Sequence, residues 1–271
     1  MTFSLFDLAF VGSLTAAAYD SDAQSYITAV EAADGQALEV GVRDAYNDFF
    51  VGCKADGNFN ALKSSCIMAG ARTLAGALVP LVGTAPTSFN FVAGDYDRGT
   101  GLKGDGSTKY LDSNRADNAD PQNDAHAFVH VITVDTRFNT TSAGAYIGSS
   151  SAGSASRRNI APYNGNLFFA NRSGVASSLS GGGSLTGGMG TSRLSSTGYD
   201  ILKDNTLTTR TVSSVSPGSQ TILIFADNAN GTVQTRSDAR LAFYSIGESL
   251  DLDLLRARVT ALIAAIGAAI P

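Results

Sequence analysis

Near residue 85 the chain changes its hydrophobic period, and that change constrains the architecture more than any other feature. Upstream, apolar residues recur every three or four positions, as on one face of a helix. Downstream they come in short runs separated by Gly, Asn, Asp and Ser, as in strands joined by turns. A few helices followed by many closely spaced strands predict a mostly β fold, a jelly-roll β-sandwich with a small helical N-terminal region and a C-terminal helix. The organisation expected is an arm at 1–20, a helical region and connector at 21–85, and a β domain with its closing helix at 86–271.

In the helical part, Ser21 and Asp22 suit an N-cap ahead of Tyr26, Ile27 and Val30, and Gly35 ends that helix. A second helix carries Leu38, Val42, Ala45, Tyr46 and Phe49 and stops at Asp56-Gly57. A third, short helix is expected around Phe59, Leu62 and Ile67, followed by a connector through Pro80 and Pro86. Strands are expected at 89–92, 125–134, 143–148, 166–171, 197–202, 206–215, 220–226 and 239–246, with a hairpin at 101–114 turning on Asp105-Gly106. The Ser- and Gly-rich stretch 177–190 reads as a mobile surface loop. Leu252, Leu255, Val259, Leu262 and Ile266 repeat at spacings of 3, 4, 3 and 4, which predicts a helix over 250–269. Its apolar face is wider than a coiled coil needs, so it is expected to pack on the sheet or the N-terminal helices, with a subunit contact as the alternative. Residues 1–20 read as an edge strand or as an arm docking onto a partner subunit. The first basic residue is Arg43, so this stretch lacks the basic start of a signal peptide, and its uncharged run is too short to span a bilayer.

Charge and composition remove several function classes. A net charge of −5 argues against a nucleic-acid partner. Two Cys cannot build a disulfide framework, and Cys53 and Cys66 read as buried, reduced thiols. His126 and His130 would share an ion only on a helix; on a strand their rings stand about 13 Å apart, at roughly 3.3 Å per residue, and the segment reads as a strand. The stretch Gly104 to Lys109 lacks phosphate-loop order and reads as a turn. Glu31, Glu39 and Glu248 are the only Glu residues and lie far apart, so the paired carboxylates of glycoside hydrolysis are missing and no catalytic residue is assigned. Asp112, Asn114, Asp117, Asn118, Asp120 and Asp124 cluster in one segment. It reads as a solvated turn region, with a Ca²⁺ site as the alternative. No cofactor and no metal site are expected.

Three segments together resemble the LamG-like, concanavalin A-like jelly rolls: 101–111, with Leu102, the Asp105-Gly106 turn and Tyr110; 199–207, two strands around a short polar turn; and 237–244, with Asp238, Arg240 and Phe243. The runs 26–38, 52–57, 71–81 and 243–250 are similar to segments of tailed-bacteriophage virion proteins. That resemblance implies a non-enzymatic structural protein located on the virion, as a head decoration or a fibre-like protein. It also implies other virion proteins, of capsid or tail, as partners, and a homo-oligomer, a trimer by analogy. The alternative function is a lectin-like module recognising host surface glycans. Candidate glycan contacts are Tyr96, Tyr110, Tyr163, Asn164 and Asn166, since aromatic rings stack on sugars and amides bond their hydroxyls. The same residues also suit ordinary strand ends and turns.

Overall fold

The computed structural model describes residues 18–142 and 144–271. All but the last three residues of the expected arm lie outside them. The first helix, α1 (Ser21–Asp34), is capped by Asp20 rather than by Ser21 or Asp22: its carboxylate accepts from the N–H groups of Asp22 and Ala23. Gly35 ends α1 in the left-handed conformation, φ 65°. Helix α2 (Val40–Ala55) buries Val42, Ala45, Tyr46 and Phe49, the face read from its spacing. The expected third helix does not form. A single turn at Phe59–Ala61 leads into β1 (Leu62–Ile67), which pairs with a strand near the other end of the chain. Strand β1 is buried on both faces, Ile67 against the helices and Cys66 between the sheets. A strand of that kind has no alternation to betray it. A short helix, α3 (Leu74–Ala77), and α4 (Leu252–Ala269) complete the helical set.

The strands form two antiparallel sheets. The first runs β13 (Thr206–Thr211), β12 (Gly198–Lys203), β11 (Gly187–Arg193), β6 (Ala125–Thr133), β17 (Arg240–Gly247), β4 (Gly101–Lys103), β3 (Tyr96–Asp97). Strand β17 pairs with β6 on one side, and on the other with β4 at its start and β1 at its end. The second sheet runs β10 (Ser177–Ser180), β9 (Asn166–Ser173), β8 (Arg157–Tyr163), β7 (Ile147–Ser150), β14 (Thr221–Ile224), β5 (Tyr110–Ala116), β2 (Thr87–Phe89). Strand β15 (Asp227–Ala229) pairs parallel with β7 and antiparallel with β16 (Thr232–Gln234). Most of the expected strands thus form with ends shifted by a few residues, as at β7 and β13; of 89–92 only Phe89 lies in a strand, and β8 is among those the sequence did not announce.

This is a jelly-roll β-sandwich with a helical layer on its first sheet. Alternation along β6 makes both cores. Ala127, Val129 and Val131 face the second sheet, where they join Ile147, Ile160, Leu167, Phe169 and Ile224. Phe128 faces the other way and packs on Phe243 of β17, which meets Phe49 of α2; Leu255, Val259 and Leu262 of α4 belong to the same cluster. His126 and His130 lie on the same helix-facing side of β6, as a strand requires. Cys53 and Cys66 are buried and free, and burial pushes both thiols up to about 12.

The stretch 177–190 is not a surface loop. It holds β10 and most of β11, a central strand between β6 and β12. Gly188 and Gly190 answer to packing: α4 lies across β11. A Cβ at Gly190 would stand 2.7 Å from Leu252 Cδ2 and 2.9 Å from Phe128 Cδ2. Gly190→Val is therefore expected to cost about 1–3 kcal/mol by lifting α4 off the sheet, with Leu252→Ala restoring part of the loss. Thermal unfolding of the two variants and their combination checks this; an unchanged Tm for Gly190→Val would mean that α4 does not bear on β11.

Candidate functional site

The outer face of the second sheet carries a groove of about 370 Å³ between β7, β8 and β9 on one side and β15 and β16 on the other. Strand alternation aims its lining. Arg157, Asn159, Ala161 and Tyr163 point outward from β8, while Arg158 and Ile160 point into the sandwich. Phe168 points outward from β9 and holds the Tyr163 ring edge-on, with centroids 5.7 Å apart. Tyr163 is 43% exposed, so one aromatic surface is offered to solvent at the groove.

The groove's polar floor comes from β15. Asp227 is buried, and its Oδ2 accepts from the Ser150 hydroxyl at 2.7 Å. Its Oδ1 is buried with no hydrogen-bond donor among the described residues, and the same holds for Asn159 Oδ1. Gly148, directly across from Asn159, makes room for this carboxylate: a Cβ there would lie 2.6 Å from Asp227 Oδ1. Burial raises the Asp227 carboxyl above its ordinary range, against the opposing bonds from Ser150 and Gln234 and the nearby Arg157 charge. The groove therefore combines two unfilled acceptors, one guanidinium and one exposed ring.

Of the residues singled out from the sequence, Tyr163 lines this groove. Asn164 and Asn166 belong to the hairpin that ends β8 and starts β9. Asn164 takes φ 49° beside Gly165 at φ 74°, and Asn166 donates its side-chain amide to the Asn164 carbonyl. Tyr110 lies elsewhere, at the start of β5, stacked on Phe89 with centroids 4.4 Å apart. Tyr96 lies on β3 in the opposite sheet and donates its hydroxyl to the Ala71 carbonyl. Asp227, Asn159 and Arg157 were missed because nothing local marks them: an Asp in a turn-rich sequence reads as a turn, and β8 itself was not recognised.

The acidic segment 112–124 is a solvated turn region only in part: Asn114 and Asn118 are exposed, but two of its carboxylates are not. Asp117 and Asp120 are buried between the sheets beside fully buried Arg158 and Arg172. Asp117 Oδ1 stands 3.0 Å from Arg158 Nε and 2.7 Å from Arg172 Nη1; Asp120 Oδ2 stands 2.9 Å from Arg158 Nη1, and its other oxygen pairs with Arg115. Asp112 accepts from Thr221, and Asp124 from the Ser249 N–H. Guanidiniums thus occupy the carboxylates that a Ca²⁺ ion would need. The Asp105 carboxylate accepts from the N–H groups of Ser107, Thr108 and Lys109, so that segment is a turn, but the expected hairpin does not form: β4 and β5 on either side of it belong to different sheets.

No family model matches the sequence, and no curated protein matches it. Solved structures do. The fold is similar to the binding domain of botulinum neurotoxin serotype D over 78% of this chain and 52% of that one, with a TM-score of 0.51 at 10% identity. It is similar to a point mutant of NanB sialidase from Streptococcus pneumoniae over 56% of this chain and 26% of that one, TM-score 0.41, 13% identity. It is also similar to the CBM40 of the Ruminococcus gnavus IT-sialidase, solved with α2,3-sialyllactose, over 50% and 82%, TM-score 0.37, 13% identity. The chain thus spans about half of the toxin domain and about a quarter of the NanB chain. The toxin likeness bears on the fold alone. None of the three is a phage protein. Among the described residues, no helix is long and apolar enough to cross a membrane.

Proposed function

We propose that this chain is a non-enzymatic glycan-binding module whose sugar seat is the groove on the outer face of the second sheet. The observation that carries this reading is the pair of buried acceptors, Asp227 Oδ1 and Asn159 Oδ1, left without donors in the groove that the exposed Tyr163 ring lines farther along β8. A buried acceptor without a donor costs about 1–3 kcal/mol, which an incoming hydroxyl recovers. A saccharide brings such hydroxyls together with an apolar C–H face that packs on an aromatic ring. The groove's size falls within the range of small-ligand sites. Its lining holds one carboxylate, Asp227, whereas glycoside hydrolysis works with two.

The resemblance of the sequence to tailed-phage virion proteins supports placing the module on a particle, as a head decoration or fibre-like element assembled with other virion proteins. Immunogold labelling of intact particles tests that placement, and absence of label beside a working control would remove it. A bacterial polysaccharide array tests the glycan reading. Wild-type protein is expected to bind at least one polysaccharide, and Tyr163→Ala and Asp227→Asn are each expected to weaken that binding about tenfold. Binding that survives both substitutions would move the seat elsewhere; no binding by the wild type would sink the reading.

A further inference from the structure

On the opposite side of the molecule, where α4 lies over the first sheet, a recess of about 360 Å³ is lined by His130, Thr186, Gly188, Asn205, Arg256 and Thr260, among others. The two histidines of β6 sit on one face of one strand, yet their rings fare differently. His126 is bonded at both nitrogens, to the Glu248 carbonyl and the Ser245 hydroxyl. His130 is 6% exposed, and its Nδ1 is buried with no hydrogen bond among the described residues. Burial holds both imidazoles down at about 4, so both rings are neutral near pH 7.

Arg256, on α4, repeats the pattern. Its Nε is buried without a hydrogen bond and stands 3.5 Å from Asp253 Oδ1, which is also unbonded. Gly188 lets this arginine lie down on the sheet: a Cβ there would stand 2.9 Å from Arg256 Cγ. Arg256 is the one permanently charged side chain in the lining, and Thr186, Thr260 and Asn205 add hydroxyl and amide donors. An imidazole nitrogen without a partner, a guanidinium and no carboxylate among the lining residues match one ligand chemistry, with the ring's N–H turned to the ligand. We propose that this recess binds a small oxyanion, a carboxylate or phosphate group, between the edge of the His130 ring and the Arg256 guanidinium. Charge-assisted bonds to an anion are the strong kind, and they would satisfy groups that the fold leaves open. The site is independent of the glycan groove, which lies on the other sheet.

The test follows the two histidine rings by NMR while the full chain is titrated with inorganic phosphate and, separately, with glucuronate. The His130 signals are expected to shift to saturation with at least one probe while those of His126 stay in place. Arg256→Gln is expected to weaken that response about tenfold, and Tyr163→Ala is expected to leave it unchanged. Saturation by phosphate alone supports a free phosphate as the ligand, and tighter saturation by glucuronate supports an acidic sugar. A His130 ring that neither probe moves, or a response that Arg256→Gln leaves intact, overturns the proposal. Steady His126 signals in the variant show that the fold is kept.

Discussion

Asp120→Asn is expected to destabilise the fold by about 3–5 kcal/mol, the cost of breaking a buried ion pair from one side. Asp120 and Asp117 face three arginines, of which Arg158 and Arg172 have no exposed surface. Removing the Asp120 charge leaves those guanidiniums around one carboxylate. The cluster has little room for more positive charge: burial first, and Arg158 second, already push the Arg172 guanidinium down to about 9. Urea unfolding reads the effect as a lower midpoint at unchanged slope. A loss below about 1 kcal/mol, the range of exposed pairs, would mean that solvent reaches the cluster.

The pH dependence follows from the same groups and comes in two stages. Burial alone would raise the Asp120 carboxyl, but the Arg158 and Arg115 guanidiniums outweigh it and hold the group below its ordinary range. Its contribution is complete above about pH 4, near the unfolded value, and drains away as pH falls through the lower folded value. His126 and His130 act earlier. Their folded values near 4 lie below the unfolded value of about 6.5, so between those limits the unfolded chain binds more protons and stability drops as pH is lowered. Asp120→Asn is expected to lower the curve above about pH 4 and to converge on the wild-type curve below it, as the Asp120 stage disappears.

What could be read in the sequence depended on whether a residue's task is local. The α4 seam was legible because one wet face and one dry face impose a period: Leu252, Leu255, Val259, Leu262 and Ile266 are the buried residues of that helix. The α2 face was legible for the same reason. Strand β1, covered on both faces, carries no such period, and its Leu-Lys-Ser-Ser-Cys-Ile run passed for helix. Strand β11 was hidden more thoroughly. Its Gly188 and Gly190 are dictated by Phe128 of a neighbouring strand and by Leu252 and Arg256 of α4. Locally those glycines look like a loop, and their reason lies more than 50 residues away along the chain. The groove has the same character. Tyr163 stood out as an aromatic beside an Asn-Gly turn, but Asp227 and Asn159 meet only when β15 pairs with β7 and β7 with β8. The buried ion pairs join residues of the turn after β5 to strand residues 38 to 55 positions away, so the acidic run between 112 and 124 could not show that its buried partners are arginines of β8 and β9.

Leu255→Ala is the second large effect, expected at about 2–5 kcal/mol, while Leu254→Ala, one position away, should stay within about 0.5 kcal/mol. The difference is a matter of face. Leu255 is fully buried in the cluster that holds Phe49, Phe128 and Phe243, whereas Leu254 is 40% exposed. Truncating Leu255 removes about three methylene-sized groups from a closed layer, and the surroundings resist collapse because the first half of α4 is tied to the end of α2. Arg258 is tied to Asp56 at the end of α2 by bonds of 2.7 and 2.9 Å, and Asp251 is tied to Asn58. The lost transfer energy and the remaining cavity therefore add. Chemical denaturation of the pair of variants measures it directly. Equal and small losses at both positions would mean that α4 is only loosely docked, and would also remove the wall on which the Arg256 recess depends.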